Sequence, residues 1–168
     1  MVVLAVAGIL VGFGVPAFRS FVASIRLSAA TNDVLGGMLL ARSEAARRKV
    51  RVALCTSADG LACATQGGWD QGWIVFADQD NDGQRDASEP ILGRGQRLSG
   101  GLRITGNQPV ARYISYTPLG NTRLVSGAFQ SGTLTFCDTS EGGRGARQIV
   151  LSADGRPRVQ RNDLAGCG

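Results

Sequence analysis

The residues of this 168-residue chain whose types and spacing can do chemistry fall into three groups. The first is acidic. Asp78-Gln79-Asp80-Asn81-Asp82-Gly83-Gln84-Arg85-Asp86-Ala87-Ser88-Glu89 places acids at positions 1, 3, 5, 9 and 12 of a loop, with glycine at position 6. This is calcium-loop spacing, in which hard oxygens gather around one point and a glycine lets the chain turn sharply. The candidate ligands are Asp78, Asp80, Asp82, Asp86 and Glu89, and Ca2+ is the one cofactor the sequence suggests. Two features favour a plain turn instead. Strand-like runs flank the loop where an EF-hand needs helices, and Arg85 occupies a position that is normally apolar. Asp, Asn and Gly are also the expected turn formers between two strands. Both readings stay open.

The second group is basic. Asp154-Gly155 reads as a hairpin turn between QIVLS and RPRVQR. Arg156 and Arg158 are spaced by two, so they leave one face of a strand ~6.6 Å apart. That is close to the reach between neighbouring phosphates, which two forked guanidinium donors suit well. Pro157 cannot donate to a ladder, so the strand is expected at a sheet edge with its arginines open to solvent. Arg144, Arg147 and Arg161 are expected to extend the patch. The competing reading is a set of solvated arginines that discourage edge-to-edge aggregation. A further run, Arg42, Arg47, Arg48, Lys49 and Arg51, reads as the exposed face of a helix.

The third group is Cys55, Cys63, Cys137 and Cys167. The chain has no CxxC pair and no histidine, which argues against a zinc site. An even cysteine count beside a hydrophobic N-terminus points to two disulfides in an oxidising compartment. Four cysteines allow three pairings. The favoured one joins Cys55–Cys63 across a short loop and Cys137–Cys167 between a late strand and the C-terminus. Catalysis is not expected. Histidine, the usual general base, is missing, Lys49 is the only lysine, and no nucleophile elbow or phosphate loop is present.

These groups need elements to hold them. A hydrophobic fraction of 43% excludes global disorder, and 24 glycines point to many turns and short strands. The net charge of +5 is carried almost wholly by arginine, which suits an anionic partner. Residues 1–18 carry no charge and come near the ~20 apolar residues of a membrane-spanning helix. They lack the basic start and small-residue end of a cleavable signal peptide. Helical spacing continues to about residue 50, with Phe18, Val22, Ile25, Ala29, Leu35, Met38, Leu39 and Ala46 as the apolar stripe expected to pack on the following domain. One helix over roughly residues 1–50 would be ~75 Å long. Pro16 is expected to kink it, and Gly36-Gly37 could mark a bend.

Beyond residue 50 the helical period stops. Strand-like runs follow at 51–56, 72–78, 90–95, 102–106, 113–120, 132–138, 147–152 and 156–161, punctuated by Gly, Asn, Asp or Pro. The expected fold is α+β: a long N-terminal helix, hydrophobic then amphipathic, packed on a small antiparallel β domain built as two sheets. Residues 1–26 are expected to form the membrane-spanning half of the helix, and residues 27–168 the soluble head. Trp69 and Trp73 read as core.

The order of these features carries a resemblance. An apolar helix with Pro16 leads into ARSEAARRKVRVALC (41–55), then GWDQGWIVFADQDNDGQRDASEPIL (68–92), GTLTFCD and IVLSADGRPR. Across essentially its whole length the chain resembles the GspH/FimT family of type IV pilin-like proteins. Members are minor pilins of type IV pili or the H-type pseudopilin of type II secretion. The resemblance implies a single-pass inner-membrane protein whose head stands in the periplasm or on the extracellular fibre. Its partners would be other pilin or pseudopilin subunits, met through the N-terminal helix. Gly155, Arg156 and Arg158 resemble the GRxR motif with which FimT-type minor pilins bind DNA in natural transformation, which implies double-stranded DNA taken without sequence preference. The alternative within the same resemblance is a pseudopilin with no DNA ligand. The family is made with a short basic leader, removed to leave a methylated phenylalanine followed by an assembly glutamate. This chain opens at Met1, in the middle of the corresponding helix, so the expected start is an internal methionine downstream of that leader.

Overall fold

The computed structural model describes residues 2–139 and 146–162, with the side chains of residues 2–17, 19, 20 and 162 outside the described set. The first element is a single helix, α1, Val2–Arg48. It continues through Pro16 and through Gly36-Gly37, so neither site interrupts it. It ends at Lys49, whose φ of 61° is left-handed and whose N–H donates to Ala45 O at 3.0 Å. That closes the last turn as a C-cap and turns the chain into the first strand.

Eight strands follow: β1 Arg51–Thr56, β2 Trp73–Asp78, β3 Ile91–Gly95, β4 Leu102–Gly106, β5 Tyr113–Tyr116, β6 Gly132–Asp138, β7 Ala146–Leu151 and β8 Pro157–Asn162. They form two antiparallel sheets, ordered β3-β2-β1-β5 and β4-β6-β7-β8. The expected α+β architecture, a helix laid on two small sheets, is therefore the observed one. Its strand boundaries agree with the sequence reading to within a residue or two, except that β5 stops at Tyr116.

The main core lies between α1 and both sheets. The helix buries Leu27, Ala30, Thr31, Val34, Met38, Ala41 and Ala45, spaced by three and four so that they share one face. Against them lie Val52, Leu54, Trp73 and Val75 from the first sheet, and Ile104, Leu134, Phe136 and Ile149 from the second. Small helix residues let the layers approach closely. A Cβ on Gly37 would stand 2.6 Å from Trp73 Cη2, so the indole occupies the space that a larger residue would fill. Both tryptophans are buried as expected, and Trp69 Nε1–H donates to Val110 O at 3.0 Å.

The helix face differs from the expected one. Of the stripe read from the sequence, only Met38 is fully buried. Phe18 is 68% exposed, Ile25 51% and Leu39 49%, joined by Phe21 at 62%, and Ala29 and Ala46 are exposed as well. The helix has two apolar faces, and the head takes the one richer in alanine because small side chains fit against bulky strand residues. Among the described residues, Phe18, Phe21 and Ile25 on the outward face stay largely open to solvent, and Leu39 borders only a shallow cleft with Pro118, Leu119 and Gly120.

A second, smaller core lies on the far side of the first sheet. Ala53, Cys55, Ile74 and Phe76 are buried there, with Cys63, Ile91 and Tyr113 packed against them. The chain between β1 and β2 folds back over this side and is stapled by the Cys55–Cys63 disulfide. Cys137 is also disulfide-bonded. Its expected partner Cys167 lies outside the described residues.

Candidate functional site

The basic hairpin is built by β7, β8 and the turn between them. Gly155 N–H donates to Ser152 O at 2.9 Å, and Ser152 N–H donates to Arg156 O at 3.3 Å. Gly155 is glycine for two reasons. Its φ is +76°, and a Cβ there would run into Gly120 O and stand 3.1 Å from Asn121 Cα. The hairpin turn is thus pressed against the turn at 117–121, and Thr122 N–H reaches Ala153 O at 3.4 Å. This contact fixes where the following arginines emerge.

β8 is an edge strand, as its proline suggested. Arg158 pairs with Val150, and the Ser152–Arg156 bond continues that register, so Arg156 and Arg158 share the face turned away from α1. Both are exposed. The same register pairs Arg147 with Arg161, next to the buried Ile149 and Leu151 positions of the opposite face. The expected single patch is therefore divided. Arg147 and Arg161 stand on the helix side of the sheet, and Arg144 lies outside the described residues. Sequence parity already held this signal: 158 and 161 differ by an odd number, and alternate strand residues point to opposite faces.

Two charged groups modulate the hairpin, Asp154 within its own turn and Arg42 from far along the chain. Asp154 lies 3.5 Å from Arg156 Nε, with both side chains largely exposed. Ser152 donates a hydrogen bond to Asp154, which holds its carboxyl below the usual range, with smaller help from the charges of Arg156 and Arg42. Arg42, more than a hundred residues earlier, reaches this end of the molecule because α1 brings its guanidinium beside Gly120, 3.1 Å from where a Cβ would sit. The arrangement is a basic corner in which Arg156 and Arg158 leave one strand face, with the Asp154 carboxylate beside Arg156 and within reach of the charge of Arg42. Such a corner suits phosphate oxygens, and Asp154 competes with them for Arg156.

The acidic loop joins β2 to β3. Asp78 ends β2 and is buried, while Asp80 and Asp82 are exposed. Carboxylate oxygens of these three residues lie within 4.8 Å of one another. Asp82 N–H donates to Asp78 Oδ1 at 3.1 Å, and Gln84 N–H donates to Asp82 Oδ1 at 2.6 Å. Asn81 and Gly83 take the left-handed backbone needed for the turn, at φ 65° and 73°. Burial pushes the Asp78 carboxyl up to about 6, reinforced by the negative charge of Glu89. Asp86 and Glu89 do not join the cluster. Glu89 is buried, and its two oxygens accept from Gln79 N–H at 2.6 Å and Asp86 N–H at 3.0 Å. Glu89 frames the loop from within.

Along the helix, the membrane-spanning expectation for residues 1–26 falls largely on side chains outside the described set. Among the described residues, no helix is long and apolar enough to cross a membrane.

Comparison with known proteins matches the geometry. The family model described as type II transport protein GspH matches residues 30–155. Among solved structures, the type IV minor pilin FimU of Pseudomonas aeruginosa (strain PAO1) is similar at a TM-score of 0.61 and 18% identity, covering 83% of this chain and 92% of that one. A second crystal form of FimU gives 0.56 at 18% identity, covering 80% and 92%. The minor pseudopilin EpsH from the type 2 secretion system of Vibrio cholerae gives 0.50 at 12% identity, covering 80% and 96%. No curated protein matches the sequence.

Proposed function

We propose that this chain, which belongs to the GspH family of type II transport proteins, is a minor subunit of a type IV pilus or of its type II secretion counterpart. The observation that carries the reading is the divided helix. One face of α1 is buried in the head, and the opposite face presents Phe18, Phe21, Ile25 and Leu39 to solvent. Isolated exposed apolar residues are ordinary, but a row of large ones along a single helix face marks a packing surface. We assign that surface to the helices of neighbouring subunits. Residues 1–26 act as anchor and polymerising stem, and residues 27–168 form the head. The Cys55–Cys63 disulfide supports a head outside the cytoplasm, in the periplasm or on the extracellular fibre, with the stem in the inner membrane before assembly. The role is structural rather than catalytic.

Within that reading, the basic corner captures double-stranded DNA. Arg156 and Arg158 share one exposed strand face, and Gly155 sets the turn that presents them. Contacts of this kind go to phosphates, so binding is indifferent to sequence and weakens with salt. The test is a mobility-shift titration of the full chain in detergent against a short duplex. Wild type shifts the duplex at low salt. The Arg156→Ala/Arg158→Ala double variant loses the shift and lowers the salt slope by about 2. A wild-type chain that shifts no duplex at low salt leaves the subunit as a pseudopilin without a DNA ligand.

A further inference from the structure

We propose that the loop between β2 and β3 is a calcium site, with Asp78, Asp80 and Asp82 as its protein carboxylate ligands. The inference is independent of the DNA reading. It rests on two observations. Carboxylate oxygens from the three residues converge within 4.8 Å, and Asp78 Oδ2, fully buried, has no hydrogen-bond partner. A buried carboxylate oxygen without a partner is costly, and a cation at the mouth of the cluster removes the deficit.

Among the described residues, neither arginine near the cluster supplies that cation. Arg51, the cross-strand partner of Asp78, directs Nη1–H to Leu124 O at 3.3 Å. Arg85 sits in the loop, but its guanidinium donates to the carbonyls of Glu89, Leu61 and Ala87 at 3.1, 3.1 and 3.2 Å. Those bonds tie the loop to the disulfide-stapled segment rather than to the carboxylates. Glu89, whose position in a helix-flanked loop would be bidentate, is committed to Gln79 and Asp86 N–H. The strands on either side therefore keep a shorter ligand set than the twelve-residue spacing suggests: positions 1, 3 and 5 hold the ion while 9 and 12 brace the loop.

The site favours calcium over magnesium. The three carboxylates come from one short turn, open to solvent through Asp80 and Asp82, so water completes the shell. Calcium accepts six to eight oxygens in irregular arrangements, whereas magnesium demands a near-ideal octahedron. With three carboxylates and an open side, the Kd falls in the range of about 10⁻⁴–10⁻³ M seen in extracellular modules.

The experiment is thermal unfolding of the full chain in detergent, in about 10 mM CaCl2, in chelator, and in NaCl of matched ionic strength. Calcium at some ten to a hundred times Kd raises the midpoint by about 3–10 °C over chelator, with no rise in NaCl and a smaller one in MgCl2. Asp80→Asn and Asp82→Asn, both at exposed positions, abolish the rise. Asp86→Asn keeps it. Asp78→Asn also abolishes it, and in chelator it melts higher than wild type because the buried charge is gone. Circular dichroism at low temperature confirms that each variant is folded. No rise for wild type, a rise matched by NaCl, or a rise that survives Asp80→Asn with Asp82→Asn overturns the assignment.

Discussion

Replacing Gly155 by alanine is the most informative single change at the basic corner. Two effects combine. Alanine at φ +76° meets the left-handed penalty of about 1 kcal/mol relative to glycine. Its Cβ also collides with the backbone oxygen of Gly120, which no side-chain rotation relieves. The turns at 117–121 and 152–156 must separate, and the bond beside them, Thr122 N–H to Ala153 O at 3.4 Å, stretches, while the Thr122 hydroxyl keeps its own acceptor, Gln130 O at 2.6 Å. Losing that bond removes roughly 0.5–1.5 kcal/mol more. Gly155→Ala should therefore destabilise the head by about 1.5–2.5 kcal/mol, lowering the melting midpoint by roughly 3–10 °C for a chain of this size. Circular dichroism melts read this directly. Arg156→Ala and Arg158→Ala, at exposed sites, should melt within about 0.5 kcal/mol of wild type while losing DNA. The pattern separates a glycine that builds the hairpin from arginines that use it. A Gly155→Ala protein melting within a degree of wild type would refute the close-approach argument.

Other outcomes follow from the same geometry. Asp154→Asn keeps an acceptor for Ser152 but removes the carboxylate beside Arg156, so duplex affinity in an anisotropy titration should rise about 2–5-fold at low salt. The paired glycines of α1 should respond in opposite directions. Gly36 has nothing within 4 Å of an added Cβ, and Gly36→Ala should stabilise by about 0.5–1 kcal/mol. Gly37→Ala drives a methyl into the Trp73 ring and should destabilise by about 1–2 kcal/mol despite the same gain in helix propensity, both read by denaturant unfolding. Replacing Cys55 and Cys63 by serine opens a short loop and should cost about 2–3 kcal/mol in the same assay.

Much of the fold is legible in the sequence, and the reasons are local. β1, β4 and β6 begin and end at the residues where the apolar runs stop, because Gly, Asp and Asn mark the turns between them. Cys55 and Cys63 face each other because a short excursion from β1 must return to cover its own strand. The helix face facing the head was not legible. Two apolar faces compete on α1, and the bulky strand residues beneath it, among them Trp73 close against Gly37, take the alanine-rich one. The acidic loop shows the same limit. Spacing identifies Asp78, Asp80 and Asp82, but a ligand pattern defined for helix-flanked loops does not survive unchanged between strands, where Glu89 is drawn inward to satisfy backbone N–H groups. The division of the arginines was readable from parity along β8, and Asp154 lies in the same turn as Arg156, whereas Arg42 nears the site only through tertiary packing.

The outward face of α1 is the surface proposed to meet neighbouring subunits. The most direct test places a photoreactive residue at Phe18, Phe21 or Ile25 in cells that assemble the fibre, with Leu61, on the far side of the head, as the comparison site. Adducts to other fibre subunits at the helix positions, and none at Leu61, are the predicted result. An assembled fibre that yields no adduct at any of the three helix positions would contradict it.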